Sequence, residues 1–380
     1  MSGAIAELVE KRNVVICCGT GGVGKTTIAA VLALEGARTG RNACVVTIDP
    51  AKRLANALGL AHLSDQPSEI ARSRWDEAGD AAPGGHLSAL MLDTKSTFDQ
   101  LVVRNAKTPQ QAQRILDNTF YRNVSGALGG TQEYMAMEKL HELHDEGGFD
   151  LIVVDTPPTR HALDFLDAPR RLTRLLDNRI FRLLIMPTRA YLRVASVAVQ
   201  AFLRTVAKVV GSEVIEDVIA FFRAFEGMEE GFRQRAQAVE QLLGDPATAF
   251  VLITSPRRDA LEEATFFADR LTQTGQTVDT LIVNRVHPAF GDEAPAGLCA
   301  TAEELRRRSP SDEAAIRLAI RYENLADFRT VANLERTHLD ELRTKANPHQ
   351  MALVPYLAHD VYDFEALHAV GRVLFDHTNA

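Results

Sequence analysis

A glycine-rich segment, Gly19–Thr27 (GTGGVGKTT), constrains this chain more than any other feature of its sequence. It follows the apolar run Val14–Cys18, which is typical of a buried strand, and it leads into a helical pattern. The segment fits the phosphate-loop pattern G-x-x-x-x-G-K-[ST], which closes on Gly24, Lys25 and Thr26. Glycines let consecutive backbone N–H groups curl around an anion, and the helix start directs its positive dipole end at the same point. The sequence therefore predicts a site for the phosphates of a nucleotide.

The side chains at the end of this loop have their own roles in such a site. Lys25 supplies a positive charge for the β- and γ-phosphates, and the hydroxyl of Thr26 is a ligand for Mg²⁺. Backbone N–H groups supply the remaining contacts. The predicted nucleotide-binding residues of the loop are Gly19, Gly21, Gly22, Val23, Gly24, Lys25, Thr26 and Thr27.

Two carboxylates are expected beside the loop, each directly after a buried strand. Asp155 ends the run LIVVD, and parallel sheets bind ligands at the carboxyl ends of their strands, so Asp155 is predicted to support Mg²⁺. Asp49 follows the strand Ala43–Ile48, and a carboxylate there would orient or deprotonate the attacking water. Asp49 also fits an N-cap for the helix that begins at Ala51, and the two roles are compatible. The predicted catalytic residues are Lys25, Asp49 and Asp155, and the predicted metal ligands are Thr26 and Asp155.

Composition argues against several classes of protein. The chain has 380 residues, a net charge of −8 and no apolar run long enough to span a membrane. The acidic balance argues against nucleic-acid binding, and the N-terminus lacks the apolar core of a signal peptide. The four cysteines have no C-x-x-C spacing. Cys17, Cys18 and Cys44 lie on predicted strands, and Cys299 lies in a predicted loop. We expect a cytoplasmic protein with reduced thiols that are buried on the strands.

The order of predicted elements indicates an α/β protein with a mainly parallel central sheet flanked by helices. Residues 61–86 are polar and are predicted as a loop, and 300–348 are charged and helical and are predicted as a lid or peripheral helices. Further strands are predicted at 86–92, 249–254, 278–284 and 351–355, and helices at 25–39, 94–117 and 131–145.

The region 167–246 breaks the alternation of strand and helix, because it has no strand pattern and at least three helical segments. Between Arg193 and Val210 the polar residues form one narrow stripe, and a helix that is apolar around most of its circumference must be buried on more than one side. The next segment, with Ser212 as N-cap, places on one face Val214, Val218, Phe221, Phe222, Phe225 and Phe232. The region is either a helical subdomain that packs its own core or a surface that receives an apolar partner.

We therefore predict a single domain over residues 1–380. Its nucleotide-binding core covers residues 10–166 and 247–380, and its helical subdomain covers residues 167–246.

Three segments in this order and spacing, GTGGVGKTT, TIDPAKRLANALG and VVDTPPTRHALDFL, resemble the ArsA-type ATPases. That family includes arsenical-pump ATPases and the eukaryotic ATPases that target tail-anchored membrane proteins. Weaker similarity continues through LIVNRVHP and LVPYL, and GTQEYMAMEKL at 130–140 is most similar to actinobacterial paralogues. The resemblance covers most of the chain and implies the dimeric branch of the P-loop NTPase fold.

The resemblance also implies roles for residues outside the loop. Asp49 falls on the family's switch I aspartate, and residues 155–161 fall on its switch II segment. Asn284 matches the asparagine that reads the adenine base, and Pro355 lies in the loop that closes over the base. Asn284 and Pro355 are therefore added to the predicted nucleotide-binding residues.

The chain departs from the family pattern at several positions. Thr20 stands where the family has a lysine that reaches the partner subunit's phosphates, and the arginines near switch II, Arg160 above all, are candidates to replace that cation. The family's zinc-binding C-x-x-C and its arsenite-sensing cysteines are absent, which argues against a metalloid role. His141 and His144 lack the H-E-x-x-H spacing and are predicted as solvated helix residues rather than metal ligands.

These observations predict an ATPase that uses ATP and Mg²⁺ and whose nucleotide cycle rearranges a dimer that handles a hydrophobic or membrane-protein client. One alternative is the ATPase subunit of an anion or metalloid pump. Another is a nucleotide-binding regulatory subunit with weak hydrolysis in a heterodimer, so both a homodimer and a heterodimer with a related ATPase subunit stay open. Neither nucleic acid nor a membrane span of its own is expected.

Overall fold

One sheet of eight strands organises the computed structural model, which describes residues 3–48, 53–76, 79, 81–124, 131–157, 164–177 and 212–375. The strands are β1 (Val14–Gly19), β2 (Asn42–Thr47), β3 (Ser68–Glu69), β4 (His86–Met91), β5 (Leu151–Asp155), β6 (Thr248–Thr254), β7 (Thr280–Val286) and β8 (Gln350–Pro355). Their order across the sheet is β3-β4-β2-β5-β1-β6-β7-β8. Neighbouring strands pair in parallel, except that β3 runs antiparallel to β4. The predicted α/β fold with a mainly parallel sheet is confirmed.

Helices flank this sheet and form a further layer beside it. Those of the first half are α1 (Gly3–Lys11), α2 (Lys25–Arg38), α3 (Arg53–Ala57), α4 (Arg72–Trp75), α5 (Thr94–Asn105), α6 (Pro109–Leu116), α7 (Thr119–Val124), α8 (Thr131–Glu146) and α9 (Asp164–Asp177). Those of the second half are α10 (Ser212–Ala224), α11 (Glu229–Gly244), α12 (Arg258–Gln273), α13 (Pro295–Arg308), α14 (Glu313–Ala346) and α15 (Phe364–Phe375). No helix in this described part of the chain is long and apolar enough to cross a membrane.

The central strands are buried on both faces, which explains their uninterrupted apolar sequences. Successive side chains of β1 point to opposite sides, so Val15 and Cys17 join the core beneath α2, whereas Val14 and Ile16 join the core beneath α8 and α12. All residues of β1, β5 and β6 are buried. The sheet is therefore a rigid platform whose carboxyl edge carries the loops of the site.

The predicted loop at 61–86 contains regular structure, so that prediction is wrong. The short strand β3 pairs with β4, and its two exposed residues carry no apolar pattern that the sequence could reveal. Helix α4 follows, and Trp75 at its end is 1% exposed and donates from Nε1 to the carbonyl oxygen of Ile70 at 3.1 Å. Trp75 joins Leu63 and Ile70 in the core beneath α2, although the segment has no periodic apolar pattern.

Three smaller predictions also need correction. The helical pattern at 94–117 is two helices, because Thr108 caps α6 with its side chain and Pro109 opens the new helix. Cys299 is exposed on α13 and not in a loop. His141 is buried rather than solvated, whereas His144 is half-buried and bonds to Asp145 at 2.9 Å.

A third core cluster lies away from the sheet and joins helices α5 to α11. Phe225 and Phe232 are buried in it with ring centroids 4.9 Å apart, and Phe221 stacks on Tyr121 at 6.0 Å. The predicted subdomain residues thus share their core with helices that precede position 167. The predicted helix at 193–210 lies outside the described residues.

Candidate active site

The loop from β1 to α2 has a backbone that requires glycine at two positions. Gly19 has φ of 149°, and a Cβ there would lie 2.0 Å from the carbonyl oxygen of Ile253 on β6. Gly24 has φ of 96°, and a Cβ there would lie 2.3 Å from Nδ2 of Asn284. The loop is therefore pressed against β6 and β7, and a side chain at either glycine would displace it.

Helix α2 begins at Lys25 without a side-chain cap at Gly24. The N–H groups of its first turn therefore point at the carboxyl edge of the sheet without a side-chain acceptor from the cap position, which is the arrangement that binds anions. Lys25 is 5% exposed, and its Nζ donates to the carbonyl oxygen of Thr20 at 2.8 Å. The side chain of Lys25 therefore crosses the loop, and its ammonium group is buried beside the loop backbone.

Two hydroxyl groups from different elements donate to one carboxylate oxygen of Asp155. Thr26 Oγ1 on α2 donates to Asp155 Oδ2 at 2.7 Å, and Thr47 Oγ1 on β2 donates to the same oxygen at 3.0 Å. Asp155 is 1% exposed at the end of β5. Sequence reasoning paired Thr26 with Asp155 but missed Thr47, although strand ends that align in a parallel sheet are the signal for such a contact.

This oxygen cluster fits Mg²⁺. Hydroxyl and carboxylate oxygens are the hard ligands that Mg²⁺ takes in proteins. Thr26 Oγ1 donates its hydrogen to Asp155 Oδ2 and keeps lone pairs for a metal, so both contacts are compatible. No group of three or more His, Cys, Asp or Glu side chains with metal-site geometry is present among the described residues.

Asn284 and Arg285 brace the loop from β7. Asn284 Nδ2 donates to the carbonyl oxygen of Val23 at 2.8 Å, and its Oδ1 accepts from the N–H of Arg285 at 2.9 Å. Arg285 has φ of 63° at a register shift of β7 on β8, and its guanidinium donates to Gly22 O at 3.1 Å. Asn284 therefore contacts the loop directly, and its predicted contact with adenine stays a prediction.

Pro355 ends β8 opposite Val286, next to a backbone bond in which Tyr356 N–H donates to Val286 O at 3.0 Å. This places the predicted closing loop at the same sheet edge as the phosphate loop. Asp49 and Arg160 lie outside the described residues, so their predicted roles stay predictions.

A cavity of about 420 Å³ opens along the loop. Arg53 and Arg285 are exposed at its walls and add two cations to Lys25, although the chain as a whole is acidic. Sequence reasoning assigned no role to either arginine, although Arg53 lies in the segment TIDPAKRLANALG and Arg285 in LIVNRVHP. The lining residues are Gly22, Gly24, Lys25, Thr26, Thr27, Arg53, Asn56, Ala57, Asp155, Thr156, Arg285, Asp360, Val361 and Tyr362.

The cysteines nearest the site are buried. Cys17 and Cys18 lie on β1 and Cys44 on β2, as expected. Burial raises the pKa of Cys18 and of Cys44 to about 12. Burial and, to a smaller extent, the charge of Asp155 raise the pKa of Cys17 well above its ordinary value. These thiols are therefore protonated core residues at neutral pH.

A buried lysine in a glycine loop, a helix start and a metal-competent carboxylate on the neighbouring strand define a P-loop nucleoside triphosphatase. The pattern of the anion-transporting ATPase family matches residues 12–309, so the chain belongs to the ArsA-type ATPases. It is therefore an ATP hydrolase by family.

Individual relatives agree with this assignment over different lengths. A protein of Aquifex aeolicus that carries the name arsenical pump-driving ATPase 1 is 21% identical, and the match covers 96% of this chain and 78% of the relative. An uncharacterized protein of Streptomyces coelicolor is 26% identical over 83% of this chain and 70% of its own. The ATPase get3 of Schizosaccharomyces japonicus is 25% identical over 46% of this chain, and the matched part covers 50% of that relative.

Proposed function

We propose that this ATPase is Mg²⁺-dependent, acts as a dimer in the cytoplasm, and uses its nucleotide cycle to rearrange a helical layer that handles a hydrophobic or membrane-protein client. The observation that carries the proposal is the pair of bonds from Thr26 and Thr47 to Asp155 beside Lys25. Thr26 and Asp155 would hold the metal, which when bound neutralises charge on the phosphoryl oxygens.

The residues of this chain divide the chemistry among them. Lys25 and the N–H groups of the loop stabilise the charge that develops on the transferring phosphoryl group. Asp49 orients the attacking water and takes its proton. Asn284 and Pro355 stand at the side of the loop where the base of the nucleotide would bind.

Measurement of ATP turnover with and without Mg²⁺ tests the core of this proposal. We expect turnover that requires the metal, saturates with ATP and is lost in Lys25→Ala. Turnover that persists without Mg²⁺, or in that variant, would refute it.

Support for a client surface comes from the sequence at 193–210, which lies outside the described residues. The described continuation, residues 212–244, buries Phe225 and Phe232 in a core that it shares with α5 to α9. Hydrogen exchange across residues 193–232, with and without ATP, distinguishes a client surface from a packed core. Exposure that changes with nucleotide supports client handling, and full protection in both states contradicts it.

A heterodimer with a related subunit is favoured by Thr20. This residue is 6% exposed and its carbonyl oxygen holds Lys25, so no cation extends from this position toward a partner. The exposed cavity arginines Arg53 and Arg285 offer cations within the chain instead. Turnover of the chain alone, of Thr20→Lys, and of the chain mixed with a lysine-bearing paralogue separates these possibilities. Vigorous turnover alone that Thr20→Lys leaves unchanged would exclude the need for such a partner.

The pump alternative rests on the name of the family and of the Aquifex relative. Three of the four cysteines are buried, and their raised pKa values keep them protonated, which disfavours thiolate ligation of a metalloid. ATP turnover measured with and without arsenite tests this alternative, for which stimulation is the supporting result.

A further inference from the structure

The backbone that leads into Asp49 is held by a side chain outside the nucleotide motifs. Gln132, in the first turn of α8, donates from Nε2 to the carbonyl oxygen of Ile48 at 3.0 Å. Ile48 is 2% exposed and immediately precedes Asp49 in the chain. A buried carbonyl without a donor is costly, so this contact satisfies the backbone at the last described residue before Asp49.

The register of β2 on β5 explains why this carbonyl depends on a side chain. Thr47 pairs with Asp155, and the N–H of Ile48 donates to Asp155 O at 3.1 Å. In a parallel ladder the next bond would run from the N–H of residue 157 to Ile48 O. Residue 157 is proline, which has no N–H. The amide of Gln132 takes the place of the donor that Pro157 lacks.

Helix α8 gives Gln132 a firm support. Met137 on the same helix is fully buried against the sheet. Two residues after Gln132, Tyr134 donates to the buried Glu138 at 2.6 Å, and Arg235 of α11 donates to the other oxygen of Glu138 at 2.6 Å. A side chain carried on a helix anchored at two faces can hold a backbone carbonyl within a narrow range of positions.

We propose that Gln132 is a positioning residue for hydrolysis, because its bond to the Ile48 carbonyl fixes where the chain presents Asp49. This inference rests on the role of Asp49 in the proposed function. A displaced Asp49 slows the chemical step, whereas Lys25 and the loop still bind the phosphates. Loss of the amide should therefore lower kcat and leave KM for ATP unchanged.

Gln132→Met tests the inference, since methionine keeps the length of the side chain without the donor. Gln111→Met is the matched control, because Gln111 also donates from a helix to backbone carbonyl oxygens, of Ala224 at 2.8 Å and Glu226 at 3.1 Å, away from β2. We expect Gln132→Met to lower kcat about ten- to a hundredfold, as misplacement of a catalytic group does. The control should keep kcat within about twofold, and KM should stay within about twofold in both variants, because neither touches the phosphate contacts.

Pro157→Ala supplies a second test, since it restores an N–H where the ladder needs one. The kcat of the double variant Gln132→Met/Pro157→Ala should be higher than the value expected if the effects of the two single variants were independent. Hydrogen exchange in residues 42–57 should rise in Gln132→Met and not in Gln111→Met, whether or not turnover is measured.

Unchanged kcat in Gln132→Met, equal loss in both methionine variants, or unchanged exchange in 42–57 would each overturn the positioning role. A wild-type chain without turnover would instead overturn the proposed function, and with it a role in hydrolysis. Wild-type turnover with an unaffected Gln132→Met overturns the positioning role alone.

Discussion

The phosphate-loop edge of the sheet and the helical cluster around Phe232 are built on different principles. At the sheet edge, polar side chains that are almost fully buried, such as Lys25 and Asp155, are each held by specific hydrogen bonds. In the helical cluster, aromatic and aliphatic side chains from α5 to α11 pack together without a directional requirement on most of them. Changes at the edge should alter chemistry more than stability, and changes in the cluster should do the reverse.

Lys25→Ala tests the edge most severely. Removal of the ammonium should lower turnover about a thousandfold or more, because a charge aimed at the transferring phosphoryl group is lost. The midpoint of thermal unfolding should stay close to that of Lys95→Ala, a control at an exposed lysine on α5. Retained turnover in Lys25→Ala would contradict the assignment of the site.

Asp49→Asn tests the proposed role of Asp49 by separating nucleotide binding from chemistry. The amide keeps the size of the side chain but cannot take a proton, so turnover should fall roughly a hundredfold while ATP still binds. Nucleotide affinity from titration and single-turnover rates measure the two effects. If affinity falls and the rate per bound nucleotide does not, Asp49 is a structural N-cap.

Phe232→Ala tests the helical cluster. Truncation of this buried ring should lower the free energy of unfolding by about 3–5 kcal/mol, as in other cores. Phe266, which is 51% exposed on α12, provides the control, and Phe266→Ala should change stability little. Urea unfolding measures the loss of stability. ATP turnover, measured at urea concentrations below the unfolding transition, shows whether the site still works. A loss of turnover in folded Phe232→Ala would show that the cluster and the site are coupled.

The smallest expected effect concerns the thiols. At pH 8 a thiol with a pKa of about 12 is ionised in only about one molecule in ten thousand, and burial also shields Cys17, Cys18 and Cys44 from reagents. A thiol reagent should therefore modify Cys299 alone in the native protein and all four cysteines after denaturation. Rapid labelling of a second cysteine without denaturant would show that a strand edge opens.

The elements that the sequence predicted well are those with a strong local signal. The strands around Val15, Val45 and Val153 are continuous apolar runs, and the helix after the loop starts at Lys25 as the motif requires. The predictions failed where isolated tertiary contacts replace periodicity, as in the two-residue pairing of β3 with β4 and the burial of Trp75 in the core. Contacts of that kind leave no repeating pattern in the surrounding residues.

By itself, the sequence determined the phosphate loop, the identity of Lys25 and Thr26 as its charged and hydroxyl groups, and the placement of Asp155 at a strand end. These follow from local rules, because glycine, proline and apolar runs restrict the backbone wherever they occur. Only the tertiary structure decided that Thr47 shares Asp155, that Asn284 braces Val23, and that Gln132 replaces the donor missing at Pro157. The physical reason is the strand order, since it places β2, β5, β1 and β6 side by side although they are far apart in the chain, and local propensity does not encode which strands become neighbours.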